Sequence, residues 1–116
     1  MELTVEFGFS AAHHLPEAKG RCQNIHGHDY QMFIVIDGPV RESDGMVIDF
    51  HDVDDIVEAA VLGDLEGADL NQLLDCPTAE CIAEWVLARL EPVLPGVKAV
   101  TLYETPRYSV TLRKSS

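Results

Sequence analysis

The sequence predicts an α+β domain in which an antiparallel four-stranded sheet carries two helices on one face. Three observations predict it. Strand-patterned runs lie at both ends of the chain, two stretches between them repeat apolar residues every three or four positions, and turn-forming Gly and Pro separate the pieces. The resulting order is strand, strand, helix, helix, strand, strand, and helices grouped between strand pairs indicate helices segregated to one side of the sheet. With 116 residues the chain has the length of one domain, 1–116, and it contains no internal repeat or low-complexity tract.

In Leu3-Thr4-Val5-Glu6-Phe7 apolar and polar residues alternate, so residues 3–12 are read as a strand with one buried face. Residues 16–24 hold Pro, Gly, Lys and Arg without periodicity and read as a loop that brings Cys22 toward the histidines. Tyr30 to Ile36 is almost continuously apolar, which makes residues 26–37 a strand covered on both faces. Gly38-Pro39 ends it, and Glu42-Ser43-Asp44-Gly45 forms a turn before a short extended segment, residues 46–50.

Val53, Ile56, Val57, Ala60 and Val61 make one apolar helical stripe that ends near Gly63, and Asp52, Asp54, Asp55 and Glu58 place acid toward the positive N-terminal dipole. Residues 63–77 read as a connecting loop. Thr78 is an N-cap for the second helix, with Glu80 in its first turn and Ile82, Trp85, Val86, Arg89, Leu90 and Val93 along its inward or partner-facing stripe. Pro92 and Pro95-Gly96 stop that helix. Residues 97–104 and 108–113 are two strands joined by Thr105-Pro106-Arg107. The exposed edges and the apolar second strand lead us to expect a homo-oligomer.

The formal net charge of −12 argues against nucleic acid and anionic membrane surfaces as partners, because both require a basic face. No apolar run is long enough to span a bilayer and the N-terminus has no signal-type segment, so a cytoplasmic protein is expected. Three cysteines, Cys22, Cys76 and Cys81, form no paired framework and fit free thiols in a reducing compartment.

The chemistry concentrates in Cys22-Gln-Asn-Ile-His26-Gly27-His28-Asp-Tyr30. His26 and His28 are two apart, so on a strand both rings project from one face and reach one ion. Gly27 between them permits close backbone approach. A third ligand is available from His13 or His14. Three neutral histidines leave one tetrahedral position of zinc open, the arrangement of a catalytic ion, whereas Cys22 as a fourth ligand closes the site into a structural one.

Several segments together carry a resemblance: Phe9-Ser10-Ala11-Ala12-His13, Cys22 three residues before His26-Gly27-His28, Gly45-Met46-Val47-Ile48-Asp49-Phe50, Pro77-Thr78-Ala79-Glu80 and Tyr103-Glu104-Thr105. Over nearly its whole length the chain resembles the 6-pyruvoyl-tetrahydropterin synthase family, most of all its 6-carboxytetrahydropterin synthase branch. The resemblance implies a tunnelling fold, with strands joined between subunits into a trimeric barrel, paired trimers, and active sites between subunits. It implies Zn2+ held by His13, His26 and His28, Cys22 as the catalytic thiol, Glu104 as the carboxylate that anchors the pterin ring, and Thr78 and Glu80 near that ring.

The implied reaction is carbon–carbon cleavage of 7,8-dihydroneopterin triphosphate to a 6-carboxytetrahydropterin, a precursor of 7-deazapurine nucleosides such as queuosine. The sequence departs from the family at one functional position: Leu65-Glu66-Gly67-Ala68-Asp69-Leu70-Asn71 has Gly67 where the family's catalytic histidine stands. That departure keeps open a pyruvoyl-forming or aldolase-like activity and a pterin- or purine-binding protein without turnover. It also leaves His14 and His51 as candidate replacements.

Overall fold

The computed structural model describes residues 1–15 and 24–115. Four strands, β1 (Glu2–His13), β2 (His26–Asp37), β3 (Val97–Thr105) and β4 (Tyr108–Arg113), form one antiparallel sheet in the order β1-β2-β3-β4. The first pairing runs in unbroken register from Glu2 opposite Asp37 to His13 opposite His26.

The connection between β2 and β3 supplies the helices. Asp49 accepts a hydrogen bond from the His51 amide and caps α1 (Phe50–Val57), which passes into a π-helical turn (Glu58–Leu62) and then α2 (Gly63–Leu65). A single turn, α3 (Leu70–Leu73), precedes α4 (Ala79–Leu90), whose first turn is capped by Thr78 Oγ1 accepting from the Cys81 amide at 3.2 Å. Val53, Val57 and Val61 from the first helical run and Ile82, Val86 and Leu90 from α4 bury against Tyr30, Met32, Ile34, Ile36, Val100 and Leu102 of the sheet. The period of 3.6 on the helices meets the period of 2 on the strands, and one core results.

The α+β class, the strand order and the helix placement agree with the sequence reading, and four details differ. Residues 46–49 are not an extended strand: Val47 and Ile48 are bends packed against the core, and the Asp49 cap already starts α1 at Phe50. Residues 63–77 contain α2 and α3, short helical turns too brief to leave a periodic signal. Arg89 and Val93 are exposed: the Arg89 guanidinium lies 4.5 Å over the Trp85 ring and reaches Asp64 at 3.2 Å, and the buried stripe runs instead through Ala83 and Leu87. The second strand is covered on one face only within the chain, since Gln31 is exposed and Phe33 and Val35 are half-buried on the other.

Among the described residues no helix is long and apolar enough to cross a membrane. Gly96 is required where it stands. Its φ is +80°, and a Cβ there would lie 2.4 Å from the Asp37 carbonyl oxygen.

Candidate metal centre

His13 is the last residue of β1 and His26 the first of β2, opposite each other in the ladder, while His28 follows two residues on along the same face. The β2–β3 pairing sets Gln31 opposite Tyr103, so one further step sets Tyr30 opposite Glu104 and brings the Glu104 carboxylate diagonally onto His28. Ligand atoms of His13, His26, His28 and Glu104 all lie within 4.8 Å of one another. Glu104 Oε1 is 3.0 Å from His28 Nε2 and 3.7 Å from His13 Nε2.

The nitrogens that point away from this cluster are held by backbone. His13 Nδ1 donates to the Pro77 carbonyl at 2.8 Å, and His26 Nδ1 donates to the Asn24 carbonyl at 2.7 Å. A carbonyl can only accept, so each ring carries its hydrogen on Nδ1 and turns an Nε2 lone pair inward. Those two Nε2 atoms are 3.0 Å apart. Two lone pairs at that separation repel unless a cation or an added proton lies between them. Nitrogens sharing a tetrahedral ion at bonds of about 2.0–2.1 Å stand roughly 3.3 Å apart, close to what the pair already shows.

His28 gives the same indication. Its Nε2 is buried without a hydrogen-bond partner among the described residues, although Glu104 Oε1 lies 3.0 Å away. Burial holds this imidazole below the ordinary histidine value; the Glu104 charge opposes the shift, and His13 and His26 add to it. A neutral ring with an orphaned, buried nitrogen is the ligand form of histidine. The donor set therefore fits a divalent metal: three imidazole nitrogens, with a carboxylate beside them.

Tyr30 closes the inner wall of the cluster. Its ring stacks on Phe9 at 4.8 Å and meets His28 edge-on at 5.5 Å, and its hydroxyl is buried without a partner among the described residues. Burial, with Glu104 adding to it, raises the phenol above the ordinary tyrosine value, so the hydroxyl stays protonated.

Four of the residues singled out from sequence thus come together, and others do not. Thr78 caps α4 next to Pro77, whose carbonyl holds His13, so this segment abuts the centre; Glu80 is exposed in the first turn of α4. Cys22 lies outside the described residues. His14 is beyond the end of β1 and has no place in the cluster. His51 is 93% exposed, bound to Asp49, in a groove with Met1 and Leu3. That groove is at the far end of β1, about 36 Å away along a strand of this length. Within one chain His51 is no substitute for the absent histidine.

Gly67 adopts φ +71° with open space where a Cβ would project. It borders a groove of about 360 Å³ with Ala12, Gly27, Ala68 and the Ser10–Asp29 pair. Gly27 itself does not serve a close approach, since a Cβ there would make only ordinary contact at 3.7 Å. Sequence reading missed the two backbone carbonyls, of Pro77 and Asn24, because a carbonyl leaves no compositional signal.

A sheet backed by helices, with histidines and a carboxylate converging at one end, defines an α+β domain with a group of side chains that could hold a metal ion. Residues 2–115 match the model of the 6-pyruvoyl tetrahydropterin synthase family, and the chain belongs to that family. It is 36% identical to a 6-carboxy-5,6,7,8-tetrahydropterin synthase of Synechocystis, over 86% of this chain and 83% of that one. It is 32% identical to a dihydroneopterin monophosphate aldolase of Pyrococcus furiosus, with 90% of each chain covered. The structure of Caenorhabditis elegans 6-pyruvoyl tetrahydropterin synthase superposes with a TM-score of 0.90 at 25% identity, over 99% of this chain and 96% of that one. The relatives' names support an enzyme that acts on pterins.

Proposed function

We propose that the protein is a zinc-dependent lyase of the 6-carboxytetrahydropterin synthase type, acting on 7,8-dihydroneopterin triphosphate in cytoplasmic 7-deazapurine biosynthesis. The observation that carries this reading is the inward convergence of His13, His26 and His28 with the Glu104 carboxylate alongside. A zinc ion bound there supplies Lewis acidity to oxygens on the substrate side chain. His13 and His26, held by the Pro77 and Asn24 carbonyls, keep their lone pairs directed inward. Glu104 anchors the pterin by accepting paired hydrogen bonds from its ring N–H and exocyclic amine, and Thr78 and Glu80 border the ring.

Cys22 removes the carbon-bound proton of the side chain, its thiolate favoured by nearby positive charge. Subunits complete the barrel as a trimer or paired trimers, joining the outer edge of β1 ahead of Ser10 to that of β4 and enclosing the half-open sheet face of Phe33, Val35 and Tyr103. The test is mass spectrometry of products formed from 7,8-dihydroneopterin triphosphate by the zinc-loaded protein. A 6-carboxytetrahydropterin is expected.

Gly67 favours one second reading, an aldolase-like cleavage, because the family's histidine is missing and a relative of similar identity is named as an aldolase. In that case the same assay yields a 6-hydroxymethylpterin. Ligand binding without any zinc-dependent product would point to a binding protein.

A further inference from the structure

Beyond the ligands, the segment carrying the altered Gly67 position has a second task in this chain. Residues 66–71 lie along the outer edge of β1 directly behind His13. Glu66 Oε2 accepts from the Ser10 amide at 2.8 Å, Gly67 N donates to the Ser10 carbonyl at 2.7 Å, and Ala12 N donates to the Ala68 carbonyl at 2.9 Å. Asp69 then pairs with Ala12 as a parallel bridge, and the chain turns away into α3. At this point backbone pairing ends, two residues before His14.

The Asn71 side chain takes over. Its Oδ1 accepts from the His14 amide at 2.9 Å and its Nδ2 donates to the His14 carbonyl at 3.1 Å. A carboxamide offers one acceptor and one donor in a plane, as a peptide unit does, so the pair of bonds imitates one more residue of strand. Asn71 is itself held, because Asp69 Oδ1 accepts from its amide at 3.1 Å. His13 is thereby fixed from three directions: by β2 on its inner edge, by Pro77 at its ring, and by the 66–71 seam on its outer edge.

We propose that Asn71 is a positioning residue for the metal centre, holding the His14 backbone so that His13 Nε2 stays aimed at the ion. The inference rests on the metal-centre reading and not on which pterin reaction follows. Gly67 is part of the same device, since its positive φ lets its amide reach Ser10 before the chain continues to Asn71.

The experiment measures zinc dissociation constants by competition with a chromogenic chelator for the wild type, N71D, N71L and the control V110A on β4. Readings are taken where circular dichroism shows each protein fully folded. Loss of an outer partner of a metal ligand typically weakens binding about 10- to 100-fold, and a loss in that range is expected for N71L. N71D keeps the bond to the His14 amide and loses the bond to its carbonyl, so a smaller loss is expected; its added negative charge favours a cation and cannot produce the weakening. V110A should bind as the wild type does.

Hydrogen exchange on the metal-free proteins gives an independent readout, with the His14 amide losing protection in N71L and that of Met32 unaffected. Should N71L fail to fold, N71D carries the test. Wild-type zinc affinity in both Asn71 variants, or an equal loss in V110A, overturns the positioning role while the metal centre stands. A wild-type protein that binds no zinc removes the metal centre and the proposal with it.

Discussion

The two ends of the β1–β2 ladder each gather charged or ionisable groups, and they differ in what surrounds them. At the Glu2–Asp37 end, the N-terminal ammonium reaches Asp37 at 3.3 Å and Lys98 reaches Glu2 at 2.8 Å and Asp37 at 3.7 Å. All four groups are roughly half exposed, and every positive charge faces a negative one. At the His13–His26 end the groups are largely buried, two ring nitrogens face each other at 3.0 Å, and a third has no partner among the described residues. The first end is satisfied by itself and by water. The second finds no such satisfaction among the described residues, which is the physical mark of a binding site.

The largest expected effect breaks the buried end. His28→Ala should reduce bound zinc from about one ion per subunit to near none and abolish turnover, whereas zinc removal from the wild type by a chelator should lower its melting temperature. Metal analysis that finds full zinc in this variant rejects the ligand assignment.

Cys22→Ala tests the chemistry proposed for that end apart from its scaffold. Turnover and solvent-deuterium exchange at the side-chain carbon should fall together by about 10²–10⁴, the usual contribution of a positioned base, while zinc content holds. Zinc affinity and thermal stability falling together would make Cys22 a ligand. Near-normal exchange would make it a bystander.

Glu104→Gln is milder. Calorimetry should show pterin binding weakened by roughly 1.5–3 kcal/mol, the worth of hydrogen bonds to a charged group, with zinc content unchanged. Because Glu104 Oε1 already lies 3.0 Å from His28 Nε2, the same variant sharpens the carboxylate's role: lost zinc with unaltered pterin affinity would make it a ligand and not an anchor.

The smallest effect belongs to the exposed end. Lys98→Ala should leave zinc and turnover as they are and move the melting temperature by no more than about 5 °C, since exposed ion pairs contribute little. The hydrogen bond from the N-terminal ammonium holds the Asp37 carboxyl below the usual carboxylate range, helped by Lys98. A depressed acid binds fewer protons folded than unfolded, so its small contribution is present above about pH 4 and is lost as pH falls further. Acid titration of Asp37 by NMR with a value at or above the ordinary one would contradict this.

Much of this molecule was legible in one dimension. Alternation in residues 3–7, the stripe Val53-Ile56-Val57-Ala60-Val61, the N-cap Thr78 and the two-residue spacing of His26 and His28 are local patterns, and local backbone geometry turns each directly into an element or a shared face. The sequence by itself therefore determined the order of the four strands and the two main helices, the β-face of the paired histidines and the departure at Gly67.

Only the tertiary structure decided the rest. Which of His13 and His14 is a candidate ligand depends on where β1 stops pairing with β2; geometry places His13 in the cluster, in agreement with the family motif. The distance of His51 from the site, the carbonyls of Pro77 and Asn24, and the clamp of Asn71 on His14 all join residues remote in sequence or groups common to every residue. Such partnerships are set by register and chain reversal over tens of residues. They leave no periodicity for a sequence to display, because a backbone carbonyl is the same at every position until the fold puts an imidazole beside it.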